Sequence, residues 1–224
     1  MIIPGRFNGP PDSANGGYTC GLLAALLGGE AEVTLRLPPP LDRELDVVET
    51  EGRLELREGD RLVAEAEPVE LDVDVPAAAS LDEAEEASTR YPGFAEHAYR
   101  TCFVCGPART DGLGIFAGPV AGLSGVVASP WRPDDDVSAE LVWAALDCPS
   151  GWAVDDFQRE GVLLGRMAAR VDRLPTPGEP HVVLGWRIGE DGRKRHAGSA
   201  LTTAEGEVLA CSRSTWIVPG RREP

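Results

Sequence analysis

Between Leu141 and Val154 the chain reads LVWAALDCPSGWAV, fourteen residues in which Asp147 is the only charge. A carboxylate held among apolar side chains is costly to ionise, so its pKa rises toward the range that suits a general base. Isolated charges of this kind are enriched at functional sites. The structural alternative is a cap: Cys148-Pro149-Ser150-Gly151 follows at once, and Asp before Pro opens the first turn of a helical segment. Asp147 as partner to a buried arginine is a further structural role. The complementary element is Asn15-Gly16-Gly17, at the start of an uncharged, leucine-rich run. Amides at a helix N-terminus carry positive partial charge, and glycine lets a ligand carbonyl come close. An oxyanion hole can be built from such amides without side chains. A tight turn with an N-cap asks for the same residues. Tyr18 and Thr19 follow on the same turn, to line a cleft or simply to pack.

Cys102-Phe103-Val104-Cys105 is a CxxC, but a zinc site needs two more ligands at compact spacing, and only His97 lies near it in sequence. Gly106-Pro107 follows, where a redox pair would open a helix. These thiols, with Cys20, Cys148 and Cys211, therefore read as buried core residues, and no metal or redox cofactor is expected. Arg193-Lys194-Arg195-His196 is the densest basic cluster, on a hairpin tip after Gly189-Glu190-Asp191-Gly192. It would serve as a landing site for phosphates, or balance Glu190 and Asp191 on a solvated turn. Arg109 and Arg132 are further candidates for the phosphate role. His97, His181 and His196 show no triad spacing, and no nucleophile elbow, P-loop or dinucleotide fingerprint is present. All five tryptophans (131, 143, 152, 186 and 216) fall in the second half, to line a pocket or fill a core.

The 224 residues carry 37 acidic against 21 basic side chains, a formal net charge of −16. So acidic a field disfavours nucleic acid as a partner. No apolar run approaches the ~18–20 residues of a membrane span. The opening MIIPGRFNGPP lacks a basic region followed by an apolar one, so no signal peptide is expected. Five cysteines do not make a disulfide framework. A cytoplasmic protein without a membrane partner is the expectation.

Charge divides the chain: residues 1–96 hold 21 acidic and 7 basic residues, while 97–224 hold 16 and 14. The acidic, Ala-rich stretch ASLDEAEEASTRYPGFAEH at the seam reads as a linker or short surface helix. The apolar helix runs from Asn15, as N-cap, to about Leu27. Leu22, Leu23, Leu26 and Leu27 recur at helical spacing, and Gly28-Gly29 is the stop. Alternation marks strands at 33–37, 54–56 and 69–75, with a hairpin at Glu58-Gly59-Asp60. In the second half, strands are expected in CFVCGPARTDGLGIFAG and LSGVVASPW. A second apolar helix follows around Ala139–Leu146, then strands at 165–174, 181–188, 197–203 and 208–218. VTLRLPPPLDRELDVV is similar to ARVDRLPTPGEPHVVL, and RLELREGDRLVAEAEP to ALTTAEGEVLACSRST, which points to a duplicated unit.

These stretches carry a family resemblance. NGGYTCGLLAALL resembles the helix opening of the first hotdog in acyl-CoA thioesterases of the type II class, and AELVWAALDCPSGWA resembles the second-hotdog helix of that class. CFVCGPARTDGLGI resembles the opening strand of many single-hotdog thioesterases. The resemblance implies an α+β double hotdog, with two long central helices each wrapped by a curved antiparallel sheet. Residues 1–80 would form a reduced first unit, 81–97 a linker and 98–220 the second unit. It places Asp147 at the position of the family's acid. The type II enzymes complete their site with a Thr and a Gln; the late strand here has no Gln, and Ser214 or Thr215 falls near that position. Arg109 stands close to the slot where single-hotdog enzymes carry Asn.

The function implied is hydrolysis of an acyl-CoA or related thioester. Asp147 would activate water or attack directly, and the Gly16 and Gly17 amides would hold the oxyanion. Asn15, Thr19, Ser214 and Thr215 would line the substrate site, with Arg109, Arg193, Lys194 and Arg195 toward coenzyme phosphates. Homo-oligomerisation is left open. Two other readings share the fold: a non-catalytic protein holding an acyl group or small apolar ligand, and an enoyl-thioester hydratase or dehydratase.

Overall fold

The computed structural model describes residues 1–76, 79–154 and 161–219. Helix α1 (Gly16–Leu27) is followed by strands β1 (Ala31–Leu35), β2 (Asp46–Thr50), β3 (Arg53–Glu58) and β4 (Arg61–Pro68). Helix α2 (Leu81–Thr89) and strands β5 (Gly118–Pro119) and β6 (Val126–Trp131) lead to helix α3 (Ala139–Trp152). Strands β7 (Leu163–Val171), β8 (His181–Asp191), β9 (Lys194–Thr203) and β10 (Val208–Ile217) complete the chain. All ten strands form one antiparallel sheet, ordered β2-β3-β4-β1-β7-β10-β9-β8-β6-β5. The paths β2-β3-β4-β1 and β8-β9-β10-β7 are the same in two places, each a crossover followed by a returning meander. They meet where β1 pairs with β7, Ala31 opposite Ala169 and Thr34 opposite Arg166.

Burial on the two faces accounts for the charge division. Helices α1 and α3 pack together on one face, over Val33, Leu56, Ala66, Met167, Ala169, Val183 and Leu201. Alternate residues of the later strands (Ala168, Val182, Leu184, Ala200) point the other way, into a second cluster under α2 and residues 69–75. Strands buried on both faces read as continuous apolar runs such as HVVLGW, whereas a half-solvated sheet alternates. The early strands have that open outer face and fill it with Glu32, Glu55, Glu65 and Glu67. Arginines bridge these across and along strands: Arg166–Glu32, Arg57–Glu55, Arg36–Glu65 and Arg53–Glu67.

Local signals set α1. The Asn15 side-chain oxygen accepts from the Tyr18 amide at 2.8 Å, and Gly28, at φ +76°, closes the C-terminus in the left-handed conformation. The leucine repeat is not the face that meets α3, however, for Leu26 is 57% exposed. The contact is made by Gly17 and Gly21. A Cβ on Gly17 would lie 2.5 Å from the Asp147 Cβ and 2.6 Å from the Trp143 carbonyl oxygen, and one on Gly21 would lie 2.7 Å from the Glu140 Cα. Glycine here permits close approach of two helix backbones. The two helices are shorter than the family resemblance implies, at 12 and 14 residues, or about 18 and 21 Å.

Helix α3 runs on through Pro149 to Trp152, so Asp147 is interior to it and caps nothing. Proline lacks an amide proton and disturbs the preceding turn. The next two carbonyls of that turn accept from side chains: the Ser199 hydroxyl donates to Leu146 at 2.6 Å and the Ser150 hydroxyl to Asp147 at 2.7 Å.

Two expected strands are absent. Residues 69–75 form an extended segment over the outer face, where Leu71 is buried. Its amide donates to the Glu30 carboxylate and its carbonyl accepts from Arg170. The alternation there reflects one-sided burial without a neighbouring strand. Residues 102–117 form a looped segment bonded within itself and to Asn8, with Phe103 donating to the Asn8 carbonyl and Leu113 to that of Phe103. Within 81–97, α2 begins with a Ser80–Glu83 capping box and buries Ala84 and Ala87 against the sheet. No helix among the described residues is long and apolar enough to cross a membrane.

Candidate active site

The packing of α1 on α3 brings the start of one helix against the acid of the other. The Asn15 Nδ2 donates to Asp147 Oδ2 at 2.8 Å, and the Gly17 amide donates to the same oxygen at 3.0 Å. Asp147 is 2% exposed, and its other oxygen, Oδ1, has no partner among the described residues. Burial pushes the carboxyl up to about 7; the nearby Cys102 adds to the rise, while the Gly17 and Asn15 hydrogen bonds pull against it. One carboxyl oxygen is thus clamped by two donors, and the other is buried with its capacity to accept a hydrogen bond unused.

Asp147 lies on the wall of a cavity of about 550 Å³, within the size range of small-molecule sites. Asn15 and Gly16 line it at the start of α1, Pro10 to Ala14 and Leu35 to Pro39 form one side, and Val162 to Gly165 form another. Trp216 and Ile217 close it from β10. The walls are mainly apolar, and the α1 N-terminus supplies the polar end.

The two glycine amides are not equivalent. Gly17 is committed to Asp147, so only Gly16 offers an N–H to a ligand: among the described residues nothing accepts from it. A Cβ on Gly16 would sit 2.8 Å from Leu164 Cδ2 and 3.2 Å from Leu35 Cδ1. Glycine thus keeps that amide close to the cavity wall.

Other sequence candidates lie elsewhere. Thr19 is fully buried and its hydroxyl donates to the Asn15 carbonyl at 2.9 Å, a bond within α1 that turns it from the cavity. Arg109 holds the 101–113 loop, donating to Asn8 Oδ1 at 2.7 Å and to the Thr101 carbonyl, and pairing with Asp111. Ser214 is buried outside the cavity lining, and Thr215 meets His196 at 3.2 Å. Arg193, Lys194 and Arg195 stand at the β8–β9 turn, outside the lining. In the β9–β10 register Lys194 pairs with Ile217 and Arg195 with Trp216, two residues of the cavity wall. Of the tryptophans only Trp216 lines the cavity; Trp186 belongs to the outer-face cluster. Cys102, Cys105 and Cys148 are buried, as the sequence predicts, but all three also line the cavity with Asp147, which the sequence reading did not foresee. Their signal was the adjacency of Cys148 to the lone acid.

No family model matches the sequence, and no curated protein does. Solved structures match over nearly the whole chain. A proposed thioesterase from Novosphingobium aromaticivorans superposes with a TM-score of 0.64 at 13% identity, covering 98% of this chain and 94% of its own. A conserved protein of unknown function with a hot dog fold, from Alicyclobacillus acidocaldarius, gives 0.62 at 11% identity, covering 98% and 92%. The tesB protein of Mycobacterium avium subs paratuberculosis gives 0.59 at 15% identity, covering 98% and 91%. At these identities the likeness is one of fold, and the ten-stranded antiparallel sheet with its helices is a hotdog fold.

Proposed function

We propose that the chain hydrolyses a thioester, with acyl-CoA as the substrate class, in the cavity where α1 and α3 meet. The observation that carries the reading is Asp147 on the wall of an apolar cavity that Gly16 also lines, with its buried Oδ1 lacking a partner among the described residues. In the proposed step, Oδ1 takes a proton from water as the water oxygen attacks the thioester carbonyl. The carbonyl oxygen gathers negative charge, which the Gly16 N–H and the start of α1 stabilise. Collapse of the tetrahedral intermediate breaks the C–S bond, and the proton held by Asp147 goes to the departing thiolate. Direct attack by Oδ1, through a mixed anhydride that water then hydrolyses, gives the same products. Asn15 Nδ2 and the Gly17 N–H hold Oδ2 and so aim Oδ1. Arg193, Lys194 and Arg195, one strand from the cavity wall, are the proposed contacts for coenzyme phosphates.

In domain terms we assign residues 1–80 and 98–220 to two hotdog units built around α1 and α3, which places the site between units. A second reading, a protein that binds an acyl group without turning it over, is favoured by one observation: Gly17 is spent on Asp147, leaving a single amide for the oxyanion. The hydratase reading needs a histidine in the site, and none lines the cavity among the described residues.

Thiol release from acyl-CoA substrates, from acetyl to palmitoyl and aromatic acyl groups, tests the proposal, with Asp147→Asn run beside the wild type. Turnover that falls at least ~100-fold in the variant is the expected result. Release undiminished by the substitution would remove Asp147 from the mechanism. Protection against heat by an acyl-CoA that is never cleaved would select the binding reading.

A further inference from the structure

Three thiols converge where the chain's two halves touch. The Sγ atoms of Cys102, Cys105 and Cys148 all lie within 4.8 Å of one another, and those of Cys102 and Cys148 are 3.7 Å apart. Zinc bound tetrahedrally to thiolates at ~2.3 Å sets its sulfurs about 3.8 Å apart. Each position is held by the backbone. Gly106 donates to the Cys102 carbonyl at 2.9 Å in a turn so tight that a Cβ on Gly106 would lie 2.5 Å from the Cys102 nitrogen. That turn brings both sulfurs of the CxxC together, and the buried Tyr91 hydroxyl fixes the Cys105 carbonyl at 2.9 Å. Helix α3 supplies the third sulfur, the ligand that sequence spacing alone did not provide.

His97 supports the cluster without joining it. Its Nε2 is 3.3 Å from the Cys105 sulfur, and its Nδ1 accepts from the Tyr99 amide at 2.9 Å. With Nδ1 an acceptor, the ring proton sits on Nε2 and donates to Cys105. A ligating histidine would carry its proton on the other nitrogen. A hydrogen bond to sulfur favours the thiolate, the form that binds metal. All three cysteines also border the cavity, so a fourth coordination position is left on that side.

We propose that Cys102, Cys105 and Cys148 bind one zinc ion through three thiolates, its fourth position taken by water or a ligand entering the cavity. Soft thiolates select zinc over magnesium or calcium, and three protein ligands with one exchangeable position is the pattern of reactive rather than closed zinc sites. Each thiol gives its proton to solvent as its Zn–S bond forms, up to three per ion, and no electron moves. The site stands whether or not the cavity takes a thioester.

The test uses the full chain, reduced, stripped by chelator, and titrated separately with zinc and cobalt. The expected result is one equivalent bound per chain, with proton release, a thiolate-to-cobalt charge-transfer absorption and a raised melting temperature. Cys105→Ser should weaken or remove the charge-transfer band, since at most two of the three thiolates remain, while Cys211→Ala, whose side chain faces the outer cluster, should keep it unchanged. If Cys105→Ser does not fold, X-ray absorption of the zinc-loaded wild type decides alone, by a first shell of three sulfurs. Failure of the stripped wild type to take up either ion, a shell without three sulfurs, or an unchanged band in folded Cys105→Ser would overturn the proposal.

Discussion

Asn15 and Asp147, 132 residues apart, are joined by a hydrogen bond of 2.8 Å, and the same Asn15 side chain caps α1 through its other atom. Nδ2 holds the acid of one helix while Oδ1 accepts from Tyr18 at the start of the other. One amide side chain therefore sets the helix start and the carboxyl orientation together. The acid's second oxygen is left without a partner among the described residues, on a residue that lines the cavity.

The double duty of Asn15 separates by substitution. Asn15→Ser keeps an oxygen at the N-cap but has no donor to reach Asp147. Stability should fall by about 1 kcal/mol or less from the cap itself. The lost bond to a charged group is worth about 1.5–3 kcal/mol, so turnover should drop roughly 10- to 100-fold. Thermal melts beside thiol-release rates check this; wild-type turnover in Asn15→Ser, with a loss only in Asn15→Ala, would show that capping is all Asn15 contributes.

Gly17 offers a steric test of the helix pair. A methyl there meets Asp147 Cβ at 2.5 Å and the Trp143 carbonyl at 2.6 Å, backbone and near-backbone atoms that cannot swing aside. Gly17→Ala should destabilise by about 1–3 kcal/mol, the ordinary penalty of overpacking. Gly29→Ala, with nothing within 4 Å of its Cβ, is the control and should be close to neutral. Chemical denaturation of the pair decides; similar midpoints would mean the α1–α3 contact gives way more easily than its geometry shows.

Asp147 also sets a pH dependence of stability, to be measured on the chelator-stripped chain. Burial raises its carboxyl pKa to about 7 in the folded chain, against 3.8 for a free aspartate. The folded state therefore binds the proton more tightly, and the unfolded state releases it first as pH rises. The stabilisation is complete below about pH 4 and lost as pH climbs to 7 and beyond, on the order of 4 kcal/mol at most. Asp147→Asn, which cannot ionise, should lack this slope. Its stability relative to wild type should thus grow between pH 5 and pH 8, when measured by denaturant titration at each pH. A constant difference would mean that Asp147 keeps an ordinary carboxylate pKa.

What the sequence made legible followed from how local each signal is. Asn15 and Gly28 bound α1 as expected, because caps and stops depend on neighbours within one turn. Asp147 stood out because a lone charge in an apolar run needs no partner to be noticed. Its partners did not: nothing in GGYTCG distinguishes a Gly17 amide open to ligand from one spent on a carboxylate, since that depends on the depth of helix packing. The leucine spacing marked α1 as a helix without marking the face that meets α3, where small residues make the closer contact. Residues 69–75 alternate like a strand because one side is buried, and alternation reports burial without reporting a hydrogen-bonded neighbour. Cys148 joins Cys102 only through the packing of α3, and a buried cysteine looks the same in sequence with or without sulfur neighbours.

Ser150 connects the helix carrying the acid to the opposite cavity wall. Its hydroxyl donates to the Asp147 carbonyl at 2.7 Å and accepts from Trp216 Nε1 at 2.9 Å, and it is fully buried. The serine lies one residue past Pro149, where the helix ladder has lost an amide proton, so its hydroxyl both supports the weakened turn and anchors the indole. Ser150→Ala removes a donor from one buried group and an acceptor from another, at a cost of about 1–3 kcal/mol. Because Trp216 lines the cavity, the loss should reach ligand binding as well: acyl-CoA affinity should weaken several-fold. Ser150→Thr, which keeps the hydroxyl, should recover most of that affinity if the added methyl is accommodated. Calorimetric binding of a non-hydrolysable acyl-CoA analogue to the three proteins measures this. Lowered stability with unchanged affinity in Ser150→Ala would show that the indole keeps its place without the Ser150 bond.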